Sequence, residues 1–167
     1  LNLISPGGVP FDALDTLAAK IAAHGWHLQL FMGPDLLLAH AEKLAALPVD
    51  LVFDHFGPLD LSKGVDQPAM RALLGLLAHG STWAKLSGAY RLDQGPSPWP
   101  AAKPLAALLL KEAPDRLVWG TDWPHPDLRG PMPDDGDLLD ALWDCCRDEV
   151  LYRKVLVDNP ARLYGFS

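Results

Sequence analysis

Residues 116–126 read RLVWGTDWPHP, the sharpest change from an apolar run to a polar loop in the chain. Residues 116–120 predict a strand, and its apolar character is typical of strands covered on both faces, as in parallel sheets. The turn Gly120-Thr121-Asp122 follows, so the carboxylate of Asp122 is expected at the rim of a core. In barrels and open α/β sheets, the loops after the strands carry the chemistry. This stretch therefore predicts both a parallel sheet and a functional carboxylate.

The rest of the chain repeats this order of a short apolar run and a helical stretch. Five strands are predicted, at residues 1–4, 26–31, 50–55, 82–87 and 116–120. Helices are predicted at 11–24, 34–46, 68–79, 101–113, 138–149 and 151–157, and a last one begins with Asn159 as N-cap and Pro160 in its first turn. Such alternation indicates parallel β-α-β units. No linker divides residues 1–167, so a single domain is expected.

Composition and charge disfavour several classes of function. Of the 167 residues, 49% are hydrophobic and 21% are charged, as in a folded domain rather than a disordered chain. The net charge is −7 and the 14 Lys and Arg residues are scattered, which argues against general nucleic-acid binding.

No membrane association is expected, because no run of about 18 uncharged apolar residues occurs. The first residues lack the basic region of a signal peptide and resemble the tail of a strand cut from something longer. Cys145 and Cys146 are adjacent on a predicted helix, where pairing is strained, so both are expected to be reduced. A cytoplasmic protein is therefore predicted.

Polar side chains lie at the ends of four predicted strands or in the loops that follow them. They are Gln29 near the end of the second strand, His55 at the end of the third, Tyr90 and Arg91 after the fourth, and Asp122 and His125 after the fifth. In a parallel sheet these ends lie along one edge, so the side chains are expected to converge. The other four histidines lie on predicted helices or helix–strand turns and are expected to be structural: His24, His27, His40 and His79.

Asp122 and His55 each allow a catalytic and a structural interpretation. A carboxylate at Asp122 can take a proton from water or hold a metal, or it can cap the loop by accepting backbone N–H groups. His55 can polarise a substrate carbonyl, ligate a metal or shuttle a proton. It can equally be a buried imidazole bonded to a neighbouring carbonyl.

Arg91 and His125 are also open to two interpretations. The guanidinium of Arg91 can grip a substrate carboxylate in a bidentate fork, or form a surface salt bridge with Asp93. His125 lies between two prolines, where a role in fixing the loop and a catalytic role are both reasonable.

Four stretches together resemble a known family. They are VFDHFG at 52–57, WAKLSG at 83–88 with Arg91-Leu92, VWGTDWPHP at 118–126 and VDNPARLY at 157–164. The pattern is similar to the amidohydrolase-related branch of the amidohydrolase superfamily, which includes the 2-pyrone-4,6-dicarboxylate lactonases. The resemblance covers essentially the whole chain.

The resemblance implies a (β/α)8 TIM barrel, of which this chain would hold about the last five β/α units. It implies a hydrolase that opens a lactone or related cyclic ester of a carboxylate-bearing small molecule. Asp122 would be the general base, His55 would lie near the scissile carbonyl, and Arg91 would grip a substrate carboxylate. Tyr90, Gln29 and His125 are expected to bind substrate with Arg91. No cofactor is implied, and bound zinc is disfavoured.

The chain departs from the family in two respects. Nothing in it matches the His-X-His pair of strand 1. Ser5-Pro6 stands where the lactonases have a basic pair, and Leu30-Phe31-Met32 where they have a tyrosine. These changes favour a lactone other than a pyrone dicarboxylate.

Two alternatives to the lactonase remain open. One is a metal-dependent decarboxylase on the same barrel, which would break a C–C bond. The other is a non-catalytic fragment or binding module, because a barrel without its first strands has open sheet edges. A homo-oligomer that covers those edges is a related expectation.

Overall fold

A parallel sheet of four strands organises the chain, in a computed structural model that describes residues 1–4, 7–93, 95, 97–126, 128 and 130–166. The strands are β1 (Leu28–Leu30), β2 (Leu51–Phe53), β3 (Thr82–Ser87) and β4 (Leu117–Gly120), paired in that order. Every neighbouring pair is parallel. All four carboxyl ends therefore lie along one edge, as the sequence predicted. Ser5-Pro6, which stands at the position of the basic pair of the lactonases, lies outside the described residues.

The prediction of a first strand at residues 1–4 was wrong in extent. A parallel bridge joins Asn2 to Phe31, supported by the hydrogen bonds from Leu3 N to Phe31 O and from Phe31 N to Leu1 O, both 2.9 Å. The N–H of Ile4 donates to the side chain of Asn2, at 3.0 Å. Residues 1–4 therefore form a single bridge to the end of β1 rather than a full strand.

Helices connect the strands and cover the sheet. They are α1 (Leu14–Ala22), α2 (Pro34–Ala45), α3 (Pro68–Ala78), α4 (Ala89–Leu92), α5 (Lys103–Glu112), α6 (Asp135–Cys146), α7 (Glu149–Arg153) and α8 (Asn159–Tyr164). The long helices agree with the predicted ones to within a few residues. The short helix α4, directly after β3, was not predicted, and it carries Tyr90 and Arg91. Among the described helices, none has both the length and the apolar character of a membrane span.

Asn159 does not act as the predicted N-cap. Its backbone is helical, because a π-helical turn at Lys154–Asp158 runs directly into α8 and leaves no free helix start to cap. The buried side-chain amide instead donates to the carbonyl oxygens of Pro114 (2.8 Å) and Leu117 (2.7 Å). Asn159 therefore fastens the C-terminal helix to the start of β4.

The two faces of the sheet differ in character. One packs on the helices in the main core, which includes Leu30, Phe53, Leu86 and Leu117. On the other, Val52, Trp83 and Val118 form a small apolar cluster against Leu163 of α8. Since side chains alternate along a strand, this second face continues toward the carboxyl edge through Asp54, Lys85 and Ser87. The apolar base of this face thus gives way to polar groups near the edge.

Candidate active site

A cavity of about 270 Å³ opens at the carboxyl edge of the sheet. Its lining comes from the chain start, the ends of β1 and β2, α4 and the loop after β4: Leu1, Asn2, Phe31, Asp54, His55, Arg91, Asp122 and Pro126. Three of the predicted site residues, His55, Arg91 and Asp122, therefore meet in one concave site. Their elements are separated along the chain by helices, and the parallel sheet brings them together.

The carboxylate of Asp122 lies at the centre of this site with its two oxygens in different surroundings. Oδ2 accepts hydrogen bonds from the hydroxyl of Tyr90 (2.6 Å) and from Nε of Arg91 (2.5 Å). Oδ1 faces His55, with Nε2 of the ring 3.9 Å away. One oxygen is thus held by charged and neutral donors, while the other points into the space beside the imidazole.

The loop around Asp122 is closed without the carboxylate. The side chain of Thr121 accepts the N–H of Trp123 at 3.1 Å, and the main-chain oxygen of Asp122 accepts the N–H of His125 at 2.7 Å. Among the described residues, both hydrogen bonds to the Asp122 carboxylate come from side chains, those of Tyr90 and Arg91. The described contacts thus do not show Asp122 as a cap of its loop.

His55 lies against β3 and is largely buried. Its Nδ1 is 3.2 Å from Oγ of Ser87, and the edge of Phe31 packs on the ring with centroids 5.0 Å apart. Burial lowers the pKa of His55, and the charges of Arg91 and Lys85 add to this, against the opposing effect of Asp122 and Asp54. The lowered pKa of His55 favours the neutral imidazole, and its described partner is a hydroxyl rather than the carbonyl that one alternative required.

Both functional loops use backbone conformations that are rare outside glycine. His55 (φ 54°), Phe56 (φ 66°), Asp122 (φ 68°) and His125 (φ 58°) are all left-handed. Such residues cost free energy and cluster at functional sites. The N–H of Phe56 donates to the oxygen of Lys85 at 2.8 Å, which anchors the loop after β2 to β3. The turns thus aim His55 and Asp122 at one another.

Gly88 is a site residue that the sequence did not single out. It follows β3 with φ 63°, and an added Cβ would lie 3.0 Å from both Arg91 Cδ and His55 Nδ1 and 3.2 Å from Asp122 Oδ2. A side chain here would crowd these three groups, and the left-handed backbone would be strained for any residue other than glycine. A glycine directly after a strand, just before Tyr90 and Arg91, was the available signal.

Arg91 joins the Asp122 loop to α4. Its terminal NH2 donates to the oxygen of Pro126 at 2.7 Å, in addition to the bond from Nε to Asp122. Burial acts to lower the pKa of Arg91, but the hydrogen bond and charge of Asp122 outweigh it and raise that pKa. The proposed salt bridge with Asp93 is not the described arrangement, since that carboxylate accepts the N–H groups of Gly95 and Ala101.

Gln29 lies one layer below the cavity, in a polar cluster with Asp54 and Lys85. Its amide donates to Asp54 Oδ2 at 3.1 Å, and Lys85 Nζ lies 2.6 Å from Asp54 Oδ1. Gln29 is not among the described residues that line the cavity, so its contact with substrate stays a prediction. The Asp54–Lys85 ion pair was not foreseen, although both residues stand at strand ends.

Tyr90 and His125 form a buried pair behind Asp122. Nδ1 of His125 is 3.3 Å from the Tyr90 hydroxyl, and Nε2 is 3.2 Å from Oδ1 of Asp135 at the start of α6. Burial raises the pKa of Tyr90, and the hydrogen bond to Asp122 and its negative charge raise it further. Neither residue is among those described as lining the cavity, so their predicted role in binding substrate is untested.

The described residues do not offer a metal site by themselves. No group of three or more His, Cys, Asp or Glu side chains among them has a ligand arrangement. Oδ2 of Asp122 is occupied by a guanidinium and a phenol, neither of which shares a carboxylate readily with a cation. Burial raises the pKa of both cysteine thiols, that of Cys146 to about 11, so thiolate chemistry is disfavoured as well.

The lowered pKa of His55 predicts a dependence of stability on pH. The folded protein binds this proton less tightly than the unfolded chain does, so acid favours unfolding. The free energy of unfolding should fall as the pH drops below about 6.5, the unperturbed value, and continue to fall until the folded pKa is passed. Above pH 7 His55 should contribute no slope.

Urea unfolding of the whole protein between pH 8 and pH 5 measures this dependence. His55→Gln removes the titrating group at similar volume, and its curve should be flatter than that of the parent across the acid range. His27, whose pKa burial also lowers, is present in both proteins, so the difference between the curves belongs to His55. Identical slopes in the two proteins would contradict the prediction.

A parallel sheet with a polar site at its carboxyl edge is the arrangement found in α/β barrels. Residues 1–166 match the amidohydrolase family, and the chain belongs to that family.

Relatives and solved structures agree with the assignment. The chain is 41% identical over 143 residues to the 4-sulfomuconolactone hydrolase of Hydrogenophaga intermedia, covering 84% of this chain and 47% of that protein. It is 38% identical over 164 residues to the 2-pyrone-4,6-dicarboxylate hydrolase of Comamonas testosteroni, covering 93% and 54% respectively. The chain thus spans about half the length of the curated relatives it matches.

Crystal structures show the same architecture. An apo protein of Agrobacterium tumefaciens superposes with a TM-score of 0.88 at 32% identity, over 99% of this chain and 60% of that one. A probable 2-pyrone-4,6-dicarboxylic acid hydrolase of Acinetobacter baumannii, solved with citric acid bound, gives 0.82 at 29% identity, over 99% and 63%. The expected TIM-barrel fold is confirmed, with the chain matching only part of each barrel.

Proposed function

We propose that the whole protein hydrolyses a lactone, or a related cyclic ester, that carries a carboxylate or a similar anionic group. Asp122 acts as the general base. One observation carries this proposal: Tyr90 and Arg91 hold one carboxylate oxygen of Asp122, while the other faces the neutral ring of His55 across 3.9 Å. The relatives named as lactone hydrolases support the same reaction class.

In the proposed mechanism, Asp122 activates a water molecule. Oδ1 accepts a proton from the water as its oxygen bonds to the lactone carbonyl carbon. The two hydrogen bonds at Oδ2 hold the carboxylate in a fixed orientation, so little reorganisation is required. The ring C–O bond then breaks, and the proton held by Asp122 is available to the leaving oxygen.

His55 stabilises the carbonyl oxygen in this reaction. A hydroxyl proton from Ser87 to Nδ1 leaves the ring proton on Nε2, the nitrogen that faces the cavity. From there it can donate to the oxygen as negative charge develops. A neutral ring suits this role, because a charged one would pair with Asp122 and make its carboxylate a weaker base.

Arg91 favours an anionic substrate. Arg91 lines the cavity and has five N–H donors, of which Asp122 and Pro126 use two. A substrate carboxylate can take donors that remain. Citric acid bound to the Acinetobacter relative is consistent with recognition of carboxylates. Phe31 and Leu1 add apolar surface to the lining of the cavity, which supports a lactone with fewer carboxylates than a pyrone dicarboxylate.

A panel of lactones tests the proposal. The whole protein is assayed by pH-stat against lactones that carry a carboxylate or sulfonate and against neutral lactones of the same ring size. Turnover is expected on the anionic compounds, with KM lower by about tenfold or more than for neutral analogues, since a charged hydrogen bond contributes about 1.5–3 kcal/mol.

Two results would count against this function. Hydrolysis of neutral and anionic lactones with equal KM would remove the role proposed for Arg91. Release of CO2 from a carboxylate substrate without ring opening would instead support a decarboxylase. Activity that survives exhaustive chelation is expected here, because Asp122 and His55 supply the base and the carbonyl donor.

A further inference from the structure

A continuous row of side chains connects the site to the protein surface behind it. It runs from Asp122 through Tyr90 and His125 to Asp135, with successive polar atoms 2.6, 3.3 and 3.2 Å apart. Tyr90 and His125 are 7% and 6% exposed, and the Asp135 side chain is 48% exposed. The row therefore leads from a buried carboxylate, through two buried rings, to a carboxylate in contact with water.

The proposed reaction has a proton that must leave the site. Water adds across the ester bond, which yields a hydroxyl and a carboxylic acid, and the acid is ionised at neutral pH. Asp122 has by then given its first proton to the leaving oxygen, so it can accept the proton of the product acid. This second proton is the one that each turnover releases. While substrate or product fills the cavity, it separates Asp122 from solvent on the cavity side, so an exit on the opposite side is useful.

We propose that Tyr90, His125 and Asp135 form a proton exit path that returns Asp122 to its ionised form after hydrolysis. The inference rests on the lactonase function proposed above. None of the three residues touches the reacting atoms. They act through Asp122 and are positioning residues in that sense.

The path moves one net proton. The carboxyl group of protonated Asp122 turns so that its proton faces Tyr90, which contacts the Oδ2 position. Tyr90 accepts this proton and gives its own hydroxyl proton to Nδ1 of His125. The ring, which already holds a proton on Nε2 toward Asp135, becomes a cation beside that carboxylate. The Nε2 proton then passes to Asp135 and to water, and proton exchange with water returns the ring to its first tautomer before the next turnover.

Two features of the surroundings suit this transfer. Burial and the neighbouring Asp122 disfavour the Tyr90 phenolate, so the hydroxyl passes protons by gaining one as it loses one. The charged or titratable groups described around His125 are Tyr90 of α4 and Asp135 of α6, and the loop supplies the backbone bond from Asp122. Arg91 binds the same oxygen of Asp122 as Tyr90 does, but its guanidinium is already protonated and cannot accept a proton.

Steady-state kinetics with buffer rescue tests the transfer. In the whole protein, His125→Gln and Asp135→Asn should each lower kcat, by about tenfold for His125→Gln at low buffer concentration, with KM within about twofold. Added imidazole at constant pH should restore kcat of His125→Gln in proportion to its concentration. Asp137→Asn, an exposed change in the same helical turn, is the matched control and should behave as the parent.

The path would be refuted if His125→Gln and Asp135→Asn kept the parent's kcat, or if their losses did not respond to imidazole. A purely structural role of His125 predicts that second result, since buffer cannot repair misplacement. Asp122→Asn should gain nothing from imidazole, because the base itself is missing.

A measurement without substrate separates this inference from the proposed function. The hydroxyl proton of Tyr90 should give a downfield NMR signal that is lost in Tyr90→Phe and that shifts in both Asp122→Asn and His125→Gln. If the signal shifts in Asp122→Asn but not in His125→Gln, Tyr90 is not connected to His125 and the path is refuted, whether or not the protein opens lactones. A parent protein that turns over no lactone, yet shows both shifts, would refute the function and keep the connection.

Discussion

Replacing Asp122 with asparagine is expected to lower kcat for lactone hydrolysis by about 10³-fold, with KM changed by less than about threefold. Asparagine has nearly the same shape and keeps an oxygen that can accept from Tyr90 and Arg91. It cannot take a proton from water. The loss should therefore appear in the chemical step rather than in binding.

Steady-state kinetics on the best substrate of the lactone panel measures this change. Asp66→Asn makes the same substitution at a side chain that is 94% exposed and pairs only with Arg71 in the described structure, and it should keep the parent's kcat. Urea unfolding of Asp122→Asn checks that the protein is still folded. A kcat within tenfold of the parent would show that Asp122 is not the general base.

Gly88→Ala is expected to damage the site and the fold together. The new Cβ would meet Arg91, His55 and Asp122 at 3.0–3.2 Å, and the left-handed backbone at φ 63° is unfavourable for alanine. Strain of this kind costs about 1–3 kcal/mol, and displacement of His55 from Asp122 by about 1 Å should lower kcat/KM by about 100-fold.

Gly75→Ala is the matched control for this substitution. Gly75 lies on the exposed side of α3, and an added Cβ there meets nothing within 4 Å. In a helix interior alanine is favoured over glycine by about 0.5–1 kcal/mol, so Gly75→Ala should raise the free energy of unfolding. If Gly88→Ala were as stable and as active as the parent, the close packing around Gly88 would be shown to matter for neither stability nor activity.

The sequence predicted the strands and long helices because their signals are local. Apolar runs such as residues 116–120 and Pro at the first turns of α2 and α3 identify elements without knowledge of their neighbours. The fold at residues 1–4 and the role of Asn159 could not be found this way. Each depends on a partner that another segment supplies: Phe31 for the bridge to Asn2, and the carbonyls of Pro114 and Leu117 for Asn159.

Candidate site residues were identifiable for a similar reason, but their relations were not. His55, Arg91 and Asp122 follow strands, and a parallel sheet places strand ends together. That Arg91 and Tyr90 bind the same oxygen of Asp122 depends on α4, a four-residue helix whose sequence carries no periodic signal. Gln29 lies in the layer below the cavity, and His125 lies behind Asp122. Both positions depend on the directions of the side chains, which the sequence does not show.

By itself the sequence determined the parallel α/β class, the amidohydrolase resemblance and Asp122 as the central carboxylate, because these rest on residue type, order and spacing along the chain. The tertiary structure alone decided that Asp122 is bound by Tyr90 and Arg91, that Gly88 leaves the space these groups need, and that a row of side chains reaches the surface at Asp135. These features are contacts between residues that helices and loops separate in sequence, and packing in three dimensions creates them.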